Sequence, residues 1–571
     1  MLKKVVVRCL LIVLSIFTIY KLLQVKKFYI ADEIKQTPNQ QILAVYENKT
    51  QQIAHFKDSV LHYTISWYNN RTESLPKKKL EELFTKEAAL YFNLEIWPGD
   101  LINTLNKKTE ELIVAGEYDT KLESFFKLLA TAKKTVYVSY NPEMEVPIYK
   151  YAWQSQSCNG YILSFRHIAI LAKKIAPGVK IVWGPAGYSG TEEYWPGNEY
   201  VDFSAVNLTM LPELNNDPYP AFTTTKQMIS RKIFRMRFME KSVILLATQS
   251  VNRTGVNQQL FTAVEAKIKA DSAIYHSPVI PNITDIAVVK PARTANLKIG
   301  VYDPKLLLTS QPLVTVEHVF TDIRSVENGF FKKEFEQVIN RHHDVIVTIE
   351  PWKTLTLERD SNILQNTLDG EYDNTLKKLY QIISNIPQTV YLRWGHEMEI
   401  PVDRYPWQKQ DPVTFIKAFR YVANFEENRA PNIKMVWGPT GDRGCVEYWP
   451  GDDVVDYVSI AIYGLPDKNI NDHTKQHSFS SIFSAKFHRI RFAKKPIFIT
   501  EFGVKGPQDY KKKWLEDAAN TINKNPQIIG INYFSFSDTP KAWGNAETPD
   551  WSITPNTFES FAGLLKDLPK K

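Results

Sequence analysis

Along most of this chain, short continuous apolar runs take turns with longer segments in which apolar residues recur every three or four positions. Runs that stay apolar without alternating mark strands covered on both faces, and helical spacing between them makes a βαβα order with a parallel sheet. In the second half the runs fall at 298–302, 313–320, 344–350, 389–393, 433–437, 455–461, 496–500 and 528–535. Tyr372–Asn385, Pro412–Glu426 and Gln508–Lys524 are among the helical segments between them. In the first half comparable runs fall near 42–47, 62–67, 89–95, 135–139, 179–183, 201–207, 242–247 and 284–290. Eight strands in about 250 residues suit closure into a barrel. The predicted fold class is therefore α/β: two tandem (β/α)8 TIM barrels behind an N-terminal membrane anchor.

The two halves are one pattern written twice. Gly116-Glu117-Tyr118-Asp119 returns as Gly370-Glu371-Tyr372-Asp373, and Glu143-Met144-Glu145 as Glu397-Met398-Glu399. Val182-Trp183-Gly184-Pro185 returns as Val436-Trp437-Gly438-Pro439, and Glu193-Tyr194-Trp195-Pro196-Gly197 as Glu447-Tyr448-Trp449-Pro450-Gly451, every pair 254 positions apart. A constant offset over that distance is a tandem duplication. The expected organisation is an anchor at 1–27, a stalk at 28–40, a degenerate barrel at 41–292 and a chemically equipped barrel at 297–571. Tryptophans that recur in both copies are expected to pack, and Asp373 is expected to cap a helix.

The N-terminus changes the reading of charge. The formal charge is +8, but Lys3, Lys4, Arg8, Lys21, Lys26 and Lys27 supply six of those charges before the first acidic residue, Asp32. The remainder is near neutral, which is no electrostatic footprint for nucleic acid. The same lysines flank the apolar run Cys9–Tyr20, and Lys-Leu-Leu-Gln-Val-Lys-Lys follows in place of a small-residue cleavage site. An uncleaved, single-pass signal anchor is expected, with the globular part outside the cytoplasm. Cys9, Cys158 and Cys445 form neither a disulfide framework nor a metal-ligand spacing. No metal or cofactor is expected, and an exported chain without disulfides fits a bacterial envelope.

Candidate chemistry lies where two apolar runs end. Val390-Tyr391-Leu392 runs into Arg393-Trp394-Gly395-His396-Glu397, and Pro496-Ile497-Phe498-Ile499-Thr500 into Glu501. These are the tips of strands four and seven, on the same rim of a barrel, where reactive groups of such folds sit. Two facing carboxylates fit glycoside hydrolysis by double displacement. Tyr463 ends strand six, where its hydroxyl could donate to Glu501. Arg393 has two open readings, a substrate contact or an ion-pair partner for Glu350. Trp352, Trp543 and Trp551 are candidate stacking surfaces for sugar rings.

Together these motifs resemble family 26 glycoside hydrolases, which include β-mannanases and related β-glucanases and β-1,3-xylanases. The resemblance rests on Arg393–Glu399, Tyr405-Pro406-Trp407, Val436–Pro439, Tyr448–Asp456, Lys495–Gly503 and Asp550-Trp551. It covers essentially the whole second copy. It implies a retaining (β/α)8 enzyme with Glu397 as acid/base and Glu501 as nucleophile, and it places His396 and Tyr463 around the reactive sugar. The family's His-Glu-Met-Asn-Gly is His-Glu-Met-Glu-Ile here, which sets Glu399 beside the acid. The expected function is an endo-acting β-glycan hydrolase processing a cell-surface or exported polysaccharide. The alternative is a non-catalytic glycan-binding or scaffold protein of polysaccharide synthesis or export. In the first copy Glu501 becomes Ala247, Arg393 becomes Ser139, His396 becomes Pro142 and Tyr463 becomes Thr209, so that copy is expected to be inactive.

Overall fold

The computed structural model describes residues 33–36, 41–55, 60–67, 76–96, 109–147, 151, 153–154, 157–208, 224–247, 256–276, 291–352, 362–400, 404–466, 477–538 and 548–566. The expected anchor, most of the stalk and the strand expected at 284–290 lie outside these residues. No described helix is long and apolar enough to cross a membrane. The chain divides into two compact units, with the division after Tyr275. Arg293, expected in a linker, packs with the second unit: its backbone N–H donates to Pro526 O at 2.7 Å and its Nη1 to Ile528 O at 3.2 Å.

The first unit contains β1 (Glu33–Gln36), β2 (Gln41–Glu47), β3 (Gln52–His55), β4 (Val60–Trp67), β5 (Ala89–Ile96), β6 (Val136–Tyr140), β7 (Lys180–Trp183), β8 (Phe203–Asn207) and β9 (Val243–Ala247). Strands β4 to β9 are parallel and paired in sequence order, as expected for strands two to seven of a barrel. The expected first strand forms as β2, but it lies antiparallel against β9 and turns back into β3. Residues 48–51 close the β2–β3 hairpin, in which Gln51 takes φ 56° and its N–H donates to Glu47 O at 2.8 Å; so short a connection makes β3 antiparallel to β2. At the opposite edge β1, which lies within the expected stalk, pairs antiparallel with β4, so the first unit is a curled, mostly parallel sheet with antiparallel strands at both edges, which corrects the expectation of a stalk over 33–36 and of a regular (β/α)8 barrel there.

The second unit contains β10 (Lys298–Tyr302), β11 (Val316–Asp322), β12 (Asp344–Glu350), β13 (Val390–Trp394), β14 (Ile433–Trp437), β15 (Tyr457–Val458), β16 (Ala461–Gly464), β17 (Ile497–Val504) and β18 (Ile528–Phe534). All pair in parallel, and β15 bonds both β14 and β17, which closes an eight-stranded barrel whose sixth strand is split into β15 and β16. At the split, Ser459 turns its hydroxyl inward to Thr500 Oγ1 at 2.6 Å. Val316, Ile346, Tyr391, Val436 and Phe498, one from each of five strands, form a buried apolar layer inside the barrel.

Much of what the two units share is packing. Trp437 meets Trp449 edge to face at 5.0 Å, and Trp183 meets Trp195 at the same centroid distance. Asp373 does not cap its helix, which begins at Asp373 with Tyr372 before it; the carboxylate instead accepts from Tyr421 OH at 2.6 Å. Asp119 meets His167 equivalently, also at 2.6 Å.

Near the start of β11 lies a buried ion cluster: Glu317 meets Arg341 Nε at 2.7 Å, Arg341 Nη2 at 2.6 Å and His343 Nδ1 at 2.8 Å. Burial alone would push the Glu317 carboxyl up, but hydrogen bonds from His343 and Arg341 outweigh it and hold the carboxyl below its ordinary range. A depressed folded-state value means that the stabilisation is present above the ordinary carboxyl range and is lost as pH falls through the lowered one. Glu317→Gln is expected to cost roughly 1–3 kcal/mol at neutral pH, read from the denaturant midpoint, with the deficit shrinking as the medium is acidified.

Candidate active site

Arg393 points into the barrel from β13 and is only 1% exposed. Each of its three nitrogens is used. Nε donates to Thr348 Oγ1 at 2.8 Å, Nη1 to Thr500 Oγ1 at 3.0 Å, and Nη2 pairs with Glu501 Oε1. The other oxygen of Glu501 accepts from Tyr463 OH at 2.9 Å. Glu501 is thus gripped at both oxygens by donors from β13 and β16, as a carboxylate anion requires. The ion-pair reading of Arg393 holds, with a different partner from the one expected: Glu350 instead takes a hydrogen bond from Tyr405. Three of its five N–H donors are thus committed inside the barrel, one of them to Glu501.

Glu397 enters the mouth from the turn after β13. Gly395 has φ 57° and Glu397 has φ 54°, the left-handed region that a non-glycine residue occupies only when its surroundings enforce it. Glu397 N–H donates to Gly438 O at 2.9 Å, Gln408 Nε2 to Glu397 O at 3.1 Å, and Trp407 Nε1 to His396 O at 2.7 Å. So held, one carboxylate oxygen of Glu397, one of Glu501 and a ring nitrogen of His396 all lie within 4.8 Å of one another. That set is close enough to ligate a cation, but the Arg393 guanidinium already supplies fixed positive charge to Glu501. Burial, and next the charge of Glu501, push the Glu397 carboxyl far above its ordinary range against the pull of Arg404 and Arg393. Burial and then Arg393, Arg404 and His318 push the His396 imidazole well down, so it is neutral. The Glu397 carboxyl is thus pushed toward its protonated form, beside a Glu501 whose two oxygens are taken by Arg393 and Tyr463.

The aromatic candidates divide. Trp352 is half-buried and packs edge-on to Tyr405 at 5.1 Å and Trp407 at 5.7 Å. Trp551 is 2% exposed and backs Tyr463 at 4.6 Å, so it supports that ring and has no open face of its own. Trp543 lies outside the described residues. Tyr302, Phe320 and Phe534 were not singled out from sequence: Tyr302 stacks on Phe534 at 4.7 Å and meets Phe320 at 5.0 Å, and Phe320 lies 5.9 Å from His396.

Glu350 was weighed from sequence only as an ion-pair partner for Arg393, and the structure gives it a different setting. It ends β12 as Glu501 follows its own apolar run, and burial pushes its carboxyl up to about 7, with Tyr405 and Arg404 pulling the other way. Its counterpart in the first copy is Ile96, which is 1% exposed and apolar; that comparison was the available signal. Glu399, expected to alter the charge at the site, is 2% exposed and accepts from Thr440 Oγ1 at 2.6 Å, Gly441 N at 2.9 Å and Asp442 N at 3.1 Å. It anchors the turn after β14. Glu145 does the same in the first unit, accepting from Tyr188 N at 3.0 Å and Thr191 Oγ1 at 3.1 Å.

In the first unit Ala247 ends β9 where Glu501 stands in β17, and Ser139 and Pro142 replace Arg393 and His396. Thr209 lies outside the described residues. Glu143 alone keeps its place.

No model of a known protein family matches the chain. Among curated proteins it is similar to Endoglucanase H of Acetivibrio thermocellus, 28% identical over 242 residues, or 40% of this chain and 25% of that protein. It is similar to a β-1,3-xylanase of an Alcaligenes species, 28% identical over 185 residues (30% and 36% of the two chains), and to β-1,3-xylanase TXYA of a Vibrio species, 29% identical over 211 residues (36% and 38%). The chain thus spans between a quarter and two fifths of the length of these relatives. Similar solved structures include GH26C of a Muricauda species, at 13% identity and TM-score 0.36, covering 47% of this chain and 86% of that one. Another is the Bacillus subtilis mannanase BCman, at 15% identity and TM-score 0.31, covering 49% of this chain and 92% of that one.

A Cβ added at Gly438 would lie 2.4 Å from Arg393 Cδ and 2.8 Å from its Cγ. Gly438→Ala is therefore expected to push Arg393 off Glu501. A crystal structure of the variant should show the Arg393–Glu501 contact broken, with the backbone of β13 and β17 in place.

Proposed function

We propose that the second unit is a retaining, endo-acting β-glycan hydrolase and that the chain processes a cell-surface or exported polysaccharide. The observation that carries this reading is the approach of one Glu397 oxygen and one Glu501 oxygen within 4.8 Å, with the Glu397 carboxyl pushed toward its protonated form and Glu501 gripped by Arg393 and Tyr463. Retaining glycosidases hold their carboxyl groups about 5–5.5 Å apart, whereas inverting ones leave roughly 6.5–9.5 Å for a water between them. The similarity to an endoglucanase and two β-1,3-xylanases supports the β-glycan class.

In the first step a Glu501 oxygen attacks the anomeric carbon, the glycosidic C–O bond breaks, and the Glu397 proton passes to the departing sugar oxygen. A glycosyl ester on Glu501 results. Esterification removes the negative charge that helps keep Glu397 protonated, so the Glu397 carboxylate is then suited to take a proton from water as that water attacks the anomeric carbon and Glu501 leaves. Neutral His396 and the Tyr302–Phe320–Phe534 group line the place where the sugar would sit. The expected N-terminal segment would hold the unit at the outer face of the cytoplasmic membrane.

The first unit favours a non-catalytic reading, because a lone acid at Glu143 cannot carry out double displacement without a nucleophile at Ala247.

The test is turnover of mixed-linkage β-glucan, β-1,4-mannan and β-1,3-xylan, with proton NMR of the first anomer released. Initial release of the β-anomer is expected, and the α-anomer would contradict retention. Glu501→Ala is expected to reduce turnover by about three orders of magnitude or more, and Glu397→Ala by roughly 10²- to 10⁴-fold. Glu143→Ala should stay within about twofold of wild type. In wild type, activity should fall as pH rises through the raised Glu397 value, because the first step consumes its proton. Near wild-type turnover in either catalytic variant would sink the assignment.

A further inference from the structure

The turn that presents Glu397 is reproduced bond for bond in the unit that lacks the rest of the site. Glu143 has φ 58° beside φ 54° for Glu397, and Asn141 at φ 38° stands where Gly395 has φ 57°. Glu143 N–H donates to Gly184 O at 2.8 Å, as Glu397 N–H donates to Gly438 O at 2.9 Å. Trp153 Nε1 donates to Pro142 O at 2.7 Å, matching Trp407 Nε1 to His396 O at 2.7 Å. Gln154 Nε2 donates to Glu143 O at 3.0 Å and its Oε1 accepts from Tyr151 N at 3.1 Å; Gln408 makes the same two bonds, to Glu397 O and from Tyr405 N, each at 3.1 Å.

None of these bonds involves a catalytic side chain, so the turn's shape does not depend on the chemistry. The chemistry, by contrast, depends on the shape. A left-handed glutamate is strained and persists only where several contacts fix it. The amide group of Gln408 is the side chain that holds the Glu397 carbonyl, and it is 2% exposed, so no water replaces it at low cost. Ile400 N–H also donates to Glu397 O, at the longer distance of 3.3 Å, and Glu397 N–H stays on Gly438 O, so loss of the Gln408 bond removes the shorter tie on the carbonyl and loosens the aim of the carboxyl at Glu501.

We propose that Gln408 is a positioning residue for the acid/base: through the Glu397 carbonyl it fixes the direction from which the proton reaches the leaving oxygen. The proposal rests on the reading of Glu397 as acid, and it separates from a purely structural role by leaving-group dependence. A polysaccharide alkoxide needs the proton to depart; 2,4-dinitrophenolate does not.

The experiment compares kcat/KM on whichever of mixed-linkage β-glucan, β-1,4-mannan and β-1,3-xylan the wild type cleaves with kcat/KM on the 2,4-dinitrophenyl β-disaccharide of the same sugar. In the full chain, Gln408→Met is expected to lose roughly 30-fold or more on the polysaccharide and to stay within about threefold on the aryl glycoside. Gln154→Met, the matched change in the first unit, should move neither rate. Should the methionine variant not fold, Gln408→Glu keeps the acceptor for Tyr405 N while replacing the donor, and the same split is required of it. Equal losses on both substrates, or no loss on either, would overturn the proposal. If Glu397→Ala itself shows no split between the two substrates, the failure belongs to the acid assignment and not to Gln408.

Discussion

The site is built around a charged contact buried inside the closed barrel, that of Arg393 with Glu501. A guanidinium 1% exposed and a carboxylate 5% exposed would each carry a large desolvation cost if left alone. Together, with Thr348, Thr500 and Tyr463 taking the remaining groups, they form a satisfied network spanning β12, β13, β16 and β17. That network dictates several neighbours. Position 438 must lack a Cβ, the sixth strand breaks so that Ser459 can reach Thr500, and Asn532 donates to Thr500 O at 3.1 Å from the eighth strand. The position of Glu501 is in this sense a property of the barrel interior.

The duplicated chain separates what the fold needs from what the chemistry needs. Shared between the units are the tryptophan pairs, the Asp373 and Asp119 ties, the Glu399 and Glu145 anchors and the left-handed turn. Absent from the first unit are Arg393, His396, Glu350 and Glu501, replaced by Ser139, Pro142, Ile96 and Ala247. Removing one member of a buried ion pair leaves an uncompensated charge, a cost the first unit avoids by having Ser139 and Ala247 at both positions. The loss also coincides with a looser architecture: the first unit tolerates an antiparallel β2 beside β9, where a closed parallel barrel would have required a crossover connection.

Long apolar runs made most of the second barrel legible: the strands at 298–302, 344–350 and 433–437 and the helix Gln508–Lys524 form within their expected bounds. The misses have physical causes. Asn48-Lys49-Thr50 is a turn signal that apolar pattern alone passes over, and it adds β3 as a hairpin partner of β2. The break in strand six is invisible because Ser459-Ile460 does not interrupt the apolar pattern; it is imposed by the network below it. Glu397 and Glu501 were readable as strand-tip carboxylates, but the partner of Arg393 was not, because Glu350 and Glu501 have equal claim to it in one dimension. Glu399 looked functional from its neighbours in sequence, and only the fold shows it turned toward 440–442.

The most direct measurement of the central claim is mass spectrometry of the protein after incubation with a 2-deoxy-2-fluoro β-glycoside bearing a dinitrophenyl leaving group, which slows the second displacement more than the first. The account predicts one glycosyl adduct per chain, on the peptide that contains Glu501, and none in Arg393→Ala, where the nucleophile has lost its orienting cation. An adduct on Glu397 or on any residue of the first unit, or turnover with no covalent adduct and release of the inverted anomer, would contradict it.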